Sequence, residues 1–345
     1  MEHVPLGSSG LRVSRLGYEC VSLSGHPRDE EHAGAMLRHA LELGITFFDT
    51  GDRFGQDHNE RLVGRFLGGD ADEVVLATTL GSVGDPTDPR GADGERGIKG
   101  RPEHIRAACD ASLRRLHVDV IDLYYLHRPD ATVPIEETVG TVAELVEAGK
   151  VRALGLADVA PETIRRAHAV HPVAALRAEM SLLSRDSESD PLRLCRELGI
   201  TFVAYRPLGA GYLTDRFCAR ANRTAKGGLP GGNRDTGRDA RLTARRYARL
   251  TARLFGLAKP LGCTPGQLAL AWVLARGPDV VPVPGTRSFD HLEENVAATH
   301  IELGALPLRA LDTVFADDPP YDDNAPAGAA TCPRQLAVLN GCGDG

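Results

Sequence analysis

The chain has 345 residues, long for an average domain but within the usual range of a single α/β barrel. A formal charge of −7, with 42% hydrophobic and 25% charged residues, excludes the basic profile of a nucleic-acid binder or a ligand of anionic membranes. The cysteines (Cys20, Cys109, Cys195, Cys218, Cys263, Cys332, Cys342) form no C-x-x-C pair, which argues against a metal site or a disulfide framework and fits reduced thiols. The opening Met1-Glu2-His3-Val4-Pro5 has no basic and then apolar region, and no apolar run is long enough to cross a bilayer. A cytoplasmic protein is expected, and the excess of arginine and alanine over lysine suggests a bacterial gene.

Val4-Pro5-Leu6 and Leu11-Arg12-Val13, separated by Gly7-Ser8-Ser9-Gly10, predict an N-terminal β-hairpin. Helical spacing of Ala35, Leu37, Ala40 and Leu41, capped by Gly44, precedes a strand at Ile45–Phe48. Val74–Ala77 is a second strand. A helix through Ile105, Cys109, Leu113 and Leu116 leads to a strand at Val120–Tyr125. Val139, Val142 and Val146 line the next helix, which ends at Gly149 before a strand at Val151–Leu156. Ile164–Val170 is helical and Ala174–Met180 extended. Glu42-Leu43-Gly44-Ile45-Thr46-Phe47 is echoed by Glu197-Leu198-Gly199-Ile200-Thr201-Phe202, each a helix end, a glycine cap and a strand in the same direction. About eight such βα units can be counted, so a closed (β/α)8 TIM barrel is expected rather than an open sheet. The absence of G-x-G-x-x-G after a strand also counts against a dinucleotide-binding open sheet.

Two irregular stretches, 81–100 and 217–239, follow strand ends and are equally well read as substrate loops or as plain surface. The whole chain, 1–345, is expected to be one domain, with a core to about residue 318 and a tail, 319–345, over the barrel mouth. In a barrel, groups at strand C-termini carry the chemistry, which singles out Asp49 and His127 as an acid/base or orienting pair. The plainer readings are a loop cap for Asp49 and a satisfied histidine for His127.

Longer motifs add a resemblance. Phe48-Asp49-Thr50-Gly51-Asp52-Arg53-Phe54-Gly55 with His58-Asn59-Glu60, the stretch from Ala108 to His127, Pro134–Thr138, Gly149–Arg152, Tyr205–Gly209 and Pro284–Arg287 together resemble the aldo-keto reductase family over nearly the whole chain. That resemblance implies carbonyl reduction with NADPH, using an aspartate, a tyrosine proton donor, a lysine that lowers its pKa, and a histidine. Position by position, the aspartate is Asp49 and the histidine His127, but the tyrosine falls on Phe54 and the lysine on Thr79. Neither replacement can donate that proton or supply that charge. Tyr205 matches the ring that stacks on nicotinamide, and Leu208, Gly209, Gly285, Thr286, Arg287 and Asn295 match the loops that hold the phosphates. The residues expected on the carboxamide are replaced by Ala157, Asp158 and Arg177, a serine by Arg206, small glycines by Glu19 and Ser22, and a phosphate arginine by His291.

NADP(H) binding is therefore expected to be weak or absent, because the nicotinamide loses the groups that orient it. Arg53, Arg177 and Arg206 would share one mouth, either holding an anionic group of a substrate or pairing with local acids such as Asp158, Glu179 or Asp52. The leading reading is non-redox acid/base chemistry (dehydration, isomerisation or cyclisation) on a small oxygenated metabolite. An unconventional NADP(H)-dependent oxidoreductase using His127 or water as proton donor comes second, and a non-catalytic ligand-binding protein third. No metal is expected, and the partner is expected to be a small-molecule substrate rather than nucleic acid or a membrane.

Overall fold

The computed structural model describes residues 1–24, 29–52, 54–55, 57–70, 73–80, 100–127, 129–130, 132–214 and 249–315. Arg53, most of both irregular stretches, and the expected tail lie outside them. The chain falls into two compact units, one of residues 1–179, 187–205 and 277–296, the other of residues 180–186, 206–276 and 297–345.

The first unit is the barrel. The hairpin forms as expected: β1 (His3–Pro5) pairs antiparallel with β2 (Arg12–Ser14). Eight parallel strands follow in chain order: β3 (Tyr18–Glu19), β4 (Phe47–Gly51), β5 (Val75–Leu80), β6 (Ile121–His127), β7 (Val151–Ala157), β8 (Val173–Glu179), β9 (Thr201–Tyr205) and β10 (Val280–Val283). The ring is drawn shut between its first and last strands, where the Gly17 amide donates to Pro282 O at 2.9 Å and the Glu19 amide to Pro284 O at 3.4 Å. Between the strands run α1 (Glu30–Glu42), α2 (His58–Leu67), α3 (Pro102–Leu116), α4 (Ile135–Glu147), α5 (Pro161–Val170) and α6 (Asp190–Leu198). Strand ends extend beyond the apolar runs. Asp49 therefore lies within β4 rather than past it, because the barrel interior continues one pleat above the last hydrophobic pair.

Phe47, Val75, Ala77, Leu123, Tyr125, Ala153, Ala175, Val203, Val281 and Val283 form the barrel core. Val4, Leu6 and Val13 of the hairpin join this cluster, and the Gly7 and Ser14 amides donate to the Thr201 and Thr46 hydroxyls at the starts of β9 and β4. The hairpin therefore seals the N-terminal end of the barrel, which leaves chemistry to the other. One close approach in the core requires glycine. A Cβ on Gly155 would lie 2.3 Å from Cδ1 of Tyr125, so that ring lies across β7 where other residues carry a side chain. Gly155→Ala should cost about 1–3 kcal/mol through overpacking, read as a lower unfolding midpoint in denaturant.

In the second unit, residues 249–258 are helical, followed by α7 (Pro265–Leu274) and, after α8 (Phe289–Ala297) of the barrel unit, α9 (Ala305–Phe315). Thr264 and Gln267 form a reciprocal capping box at the start of α7. Buried Trp272 donates from Nε1 to Asp312 Oδ1 at 2.9 Å and carries the guanidinium groups of Arg185 and Arg276 at its ring.

Candidate functional site

Strand alternation decides which side chains reach the open end. Stepping two residues beyond core members Phe47, Ala77, Tyr125, Ala175 and Val203 gives Asp49, Thr79, His127, Arg177 and Tyr205, and two steps from Ala153 give Ala157. The candidate residues of the barrel strands thus share the inward register at the C-terminal end. Phe54 follows in the turn after β4, where its ring lies about as close to Gly51 as Thr79 does (3.4 Å from an ideal Cβ there).

The centre of this mouth is an ion-pair triad. Arg177 donates from Nε to Asp49 Oδ2 and from Nη2 to Glu19 Oε1, both at 2.6 Å, while its guanidinium carbon lies 4.5 Å from the centre of the Tyr205 ring. Asp49 is fully buried and Arg177 is 6% exposed. Burial pushes the Asp49 carboxyl up, with Arg177 pulling the other way. Burial also works against the charge on Arg177, but Asp49 and Glu19 outweigh it and hold the guanidinium protonated. We take the triad as ionised, since guanidinium donors at 2.6 Å stabilise the charged form of each carboxylate. Asp49 Oδ1, Thr79 Oγ1 and the Tyr125 hydroxyl are buried beside it without a protein hydrogen bond.

A second cluster lies at the ends of β6, β7 and β9. The Tyr205 hydroxyl donates to Asp158, at 3.2 and 3.3 Å from its two carboxylate oxygens, and Asp158 Oδ2 is 3.9 Å from His127 Nε2. The His127 side chain retains 14% of its exposure, so it is the more accessible of the two residues singled out as acid and base. A third network holds the turn that carries Phe54. Buried Glu60 accepts from the Thr78 hydroxyl and from Arg115 Nε, each at 2.6 Å. Asn59 accepts from Thr50 and donates to Cys20 O and Ser24 Oγ. These contacts tie the start of α2 to β4, β5 and the segment after β3.

The phosphate-loop positions are occupied by contacts within the protein. A Cβ on Gly285 would meet Glu19 O at 2.8 Å, so this glycine is needed where the chain crosses β3. The Thr286 carbonyl accepts from the Tyr18 hydroxyl and from Ser22 Oγ, and Arg287 pairs with Asp29 at 2.5 Å. Asn295 is buried on α8, and His291 pairs with Glu294. Arg206, Leu208 and Gly209 belong to the second unit, where the Gly209 amide donates to Arg206 O at 2.8 Å. Among the described residues, no group of His, Cys, Asp and Glu could hold a metal ion, and no helix is long and apolar enough to cross a membrane.

The aldo/keto reductase family model matches residues 16–314. The chain belongs to that family. This aldo-keto reductase is 42% identical over 317 residues to probable aldo-keto reductase 1 of Glycine max, covering 90% of this chain and 88% of that protein. Among solved structures it is similar to the glycerol dehydrogenase of Gluconobacter oxydans (26% identity, TM-score 0.79, 93% of this chain and 98% of that one). It is also similar to an aldo/keto reductase of Klebsiella pneumoniae in complex with NADP and acetate (26% identity, TM-score 0.69, 94% and 99%).

The sequence points to Asp49, His127 and Arg177 at one rim and to Tyr205 as a stacking ring, but it gives Glu19 no part in this cluster. It offers Asp158, Glu179 and Asp52 as partners for the arginines, whereas Arg177 takes Asp49 and Glu19. The signal that could have found Glu19 was present: Glu19 and Arg177 both depart from the family pattern, and the two departures meet in one ion pair.

Proposed function

We propose that this aldo-keto reductase performs acid/base chemistry without hydride transfer on a small oxygenated metabolite, with His127 as the proton-transferring group. The observation that carries the reading is the Arg177 guanidinium seated over Tyr205 and fixed by Asp49 and Glu19. A nicotinamide would need that ring, and a cation already occupies one face of it. At the neighbouring position Ala157 offers no side-chain donor for a carboxamide. The residues present therefore fit the ring end of NADP(H) poorly.

Asp49 takes a different part from the one its sequence position suggests. Fully buried and bonded to a guanidinium, it anchors Arg177 and leaves proton transfer to His127. Arg177, offset by two carboxylates, has no net positive charge to offer a substrate anion. A cytoplasmic location accords with the free thiols of Cys20, Cys109, Cys195 and Cys263.

The NADP-bound Klebsiella neighbour favours a second reading, an NADP(H)-dependent oxidoreductase. One measurement separates the two. The purified protein is expected to carry no nicotinamide nucleotide, and NADPH fluorescence should show no saturable change on titration. Stoichiometric bound NADP(H), or NADPH oxidation driven by an added aldehyde, would establish the oxidoreductase instead.

A further inference from the structure

Asp158 follows β7 with φ of 53°, in the left-handed region that a residue with a β-carbon enters only at a cost. Its amide donates to Arg177 O at 3.0 Å, which fixes the turn against β8. The carboxylate then accepts the Tyr205 hydroxyl and stands 3.9 Å from His127 Nε2. That spacing is too long for a direct hydrogen bond but is within ion-pair range, and one water bridges such gaps readily. Strained backbone of this kind persists where the surrounding contacts hold it, and it gathers at functional sites.

We propose that Asp158 is the positioning residue for His127: its carboxylate, held by the Tyr205 hydroxyl, orients the imidazole and favours its protonated form. The inference rests on the acid/base reading of this site. A carboxylate within about 4 Å of an imidazole stabilises the imidazolium and fixes which ring nitrogen faces away from it. Tyr205 suits the supporting part. Burial first, then Asp158 and Glu179, push its phenol upward, so it stays protonated and acts toward Asp158 as a donor. Other charged and titratable side chains toward the C-terminal ends of the barrel strands are Asp49 and Asp52 at β4, Arg177 and Glu179 on β8, and Tyr205 on β9, while Arg152 of the adjacent β7 pairs with Asp122. Arg177 is bonded to Asp49 and Glu19, whereas the Asp158 carboxylate stands within ion-pair range of the His127 ring.

The experiment needs no substrate: the His127 imidazole is titrated by NMR in the full chain, in Asp158→Asn and in Tyr205→Phe. Asparagine matches aspartate in shape and tolerates a left-handed backbone, so the first variant is expected to fold. The expected result is a His127 midpoint lower by about one pH unit in Asp158→Asn, and lower by a smaller step in Tyr205→Phe. If Asp158 only shaped the turn, thermal stability would change while the midpoint stayed where it was. An unmoved midpoint in Asp158→Asn overturns the proposal. Tight NADPH binding would defeat the non-redox reading yet leave the midpoint shift intact, so the two fail separately.

Discussion

Replacing Arg177 with methionine should cost about 3–5 kcal/mol of folding stability, because it strands two carboxylates at a buried position. The stacking of the guanidinium on Tyr205 is the smaller part, about 0.5–2 kcal/mol. The loss should be read from urea unfolding at neutral pH. Combining Arg177→Met with Glu19→Gln and Asp49→Asn should recover a large share, since no uncompensated charge is then left inside. If the single and triple variants lose equally, the guanidinium serves by its bulk, and the ion-pair account of the mouth is wrong.

His127→Ala should lower turnover by about 10²–10⁴-fold, the usual contribution of a positioned acid or base. The assay is exchange of α-protons of a small hydroxyketone in D2O, which needs no nucleotide. Thermal stability should fall less than in a variant of Asp49, because His127 keeps some exposure while Asp49 is fully buried. Asp49→Asn should behave in the opposite sense, with a clear loss of stability and a modest loss of rate. Asp49 touches Arg177 rather than the open mouth. Equal rate losses in both variants would return Asp49 to the chemistry.

Much of this was legible in the sequence. The hairpin, the parallel strands and the inward placement of Asp49 and His127 follow from hydrophobic runs, glycine caps and alternation, which are local signals. Strand limits were less legible. Thr78, Thr79 and Leu80 extend β5 beyond its apolar run because the barrel, not hydrophobicity, sets where pairing stops. The partner of Arg177 left a trace, since both positions depart from the family pattern, but the pairing itself was hidden for a different reason. Glu19 lies 158 positions away, and only closure of the ring brings the two together. Asp158 was visible as a charged departure from the family pattern, but its hold on Tyr205 depends on a backbone turn that no sequence period encodes.

The seam between β3 and β10 has a consequence for how this protein comes into being. The ring's first stave, at Tyr18–Glu19, is made long before its last, at Val280–Val283, so the ribosome must deliver nearly the whole barrel between them before the ends can meet. At ordinary translation speeds that interval is on the order of ten seconds or more. Throughout it the two edges of the sheet stand unpaired. Nascent chains should therefore depend on chaperones until the final strand emerges, and truncations before β10 should be cleared by proteases rather than accumulate as partial barrels.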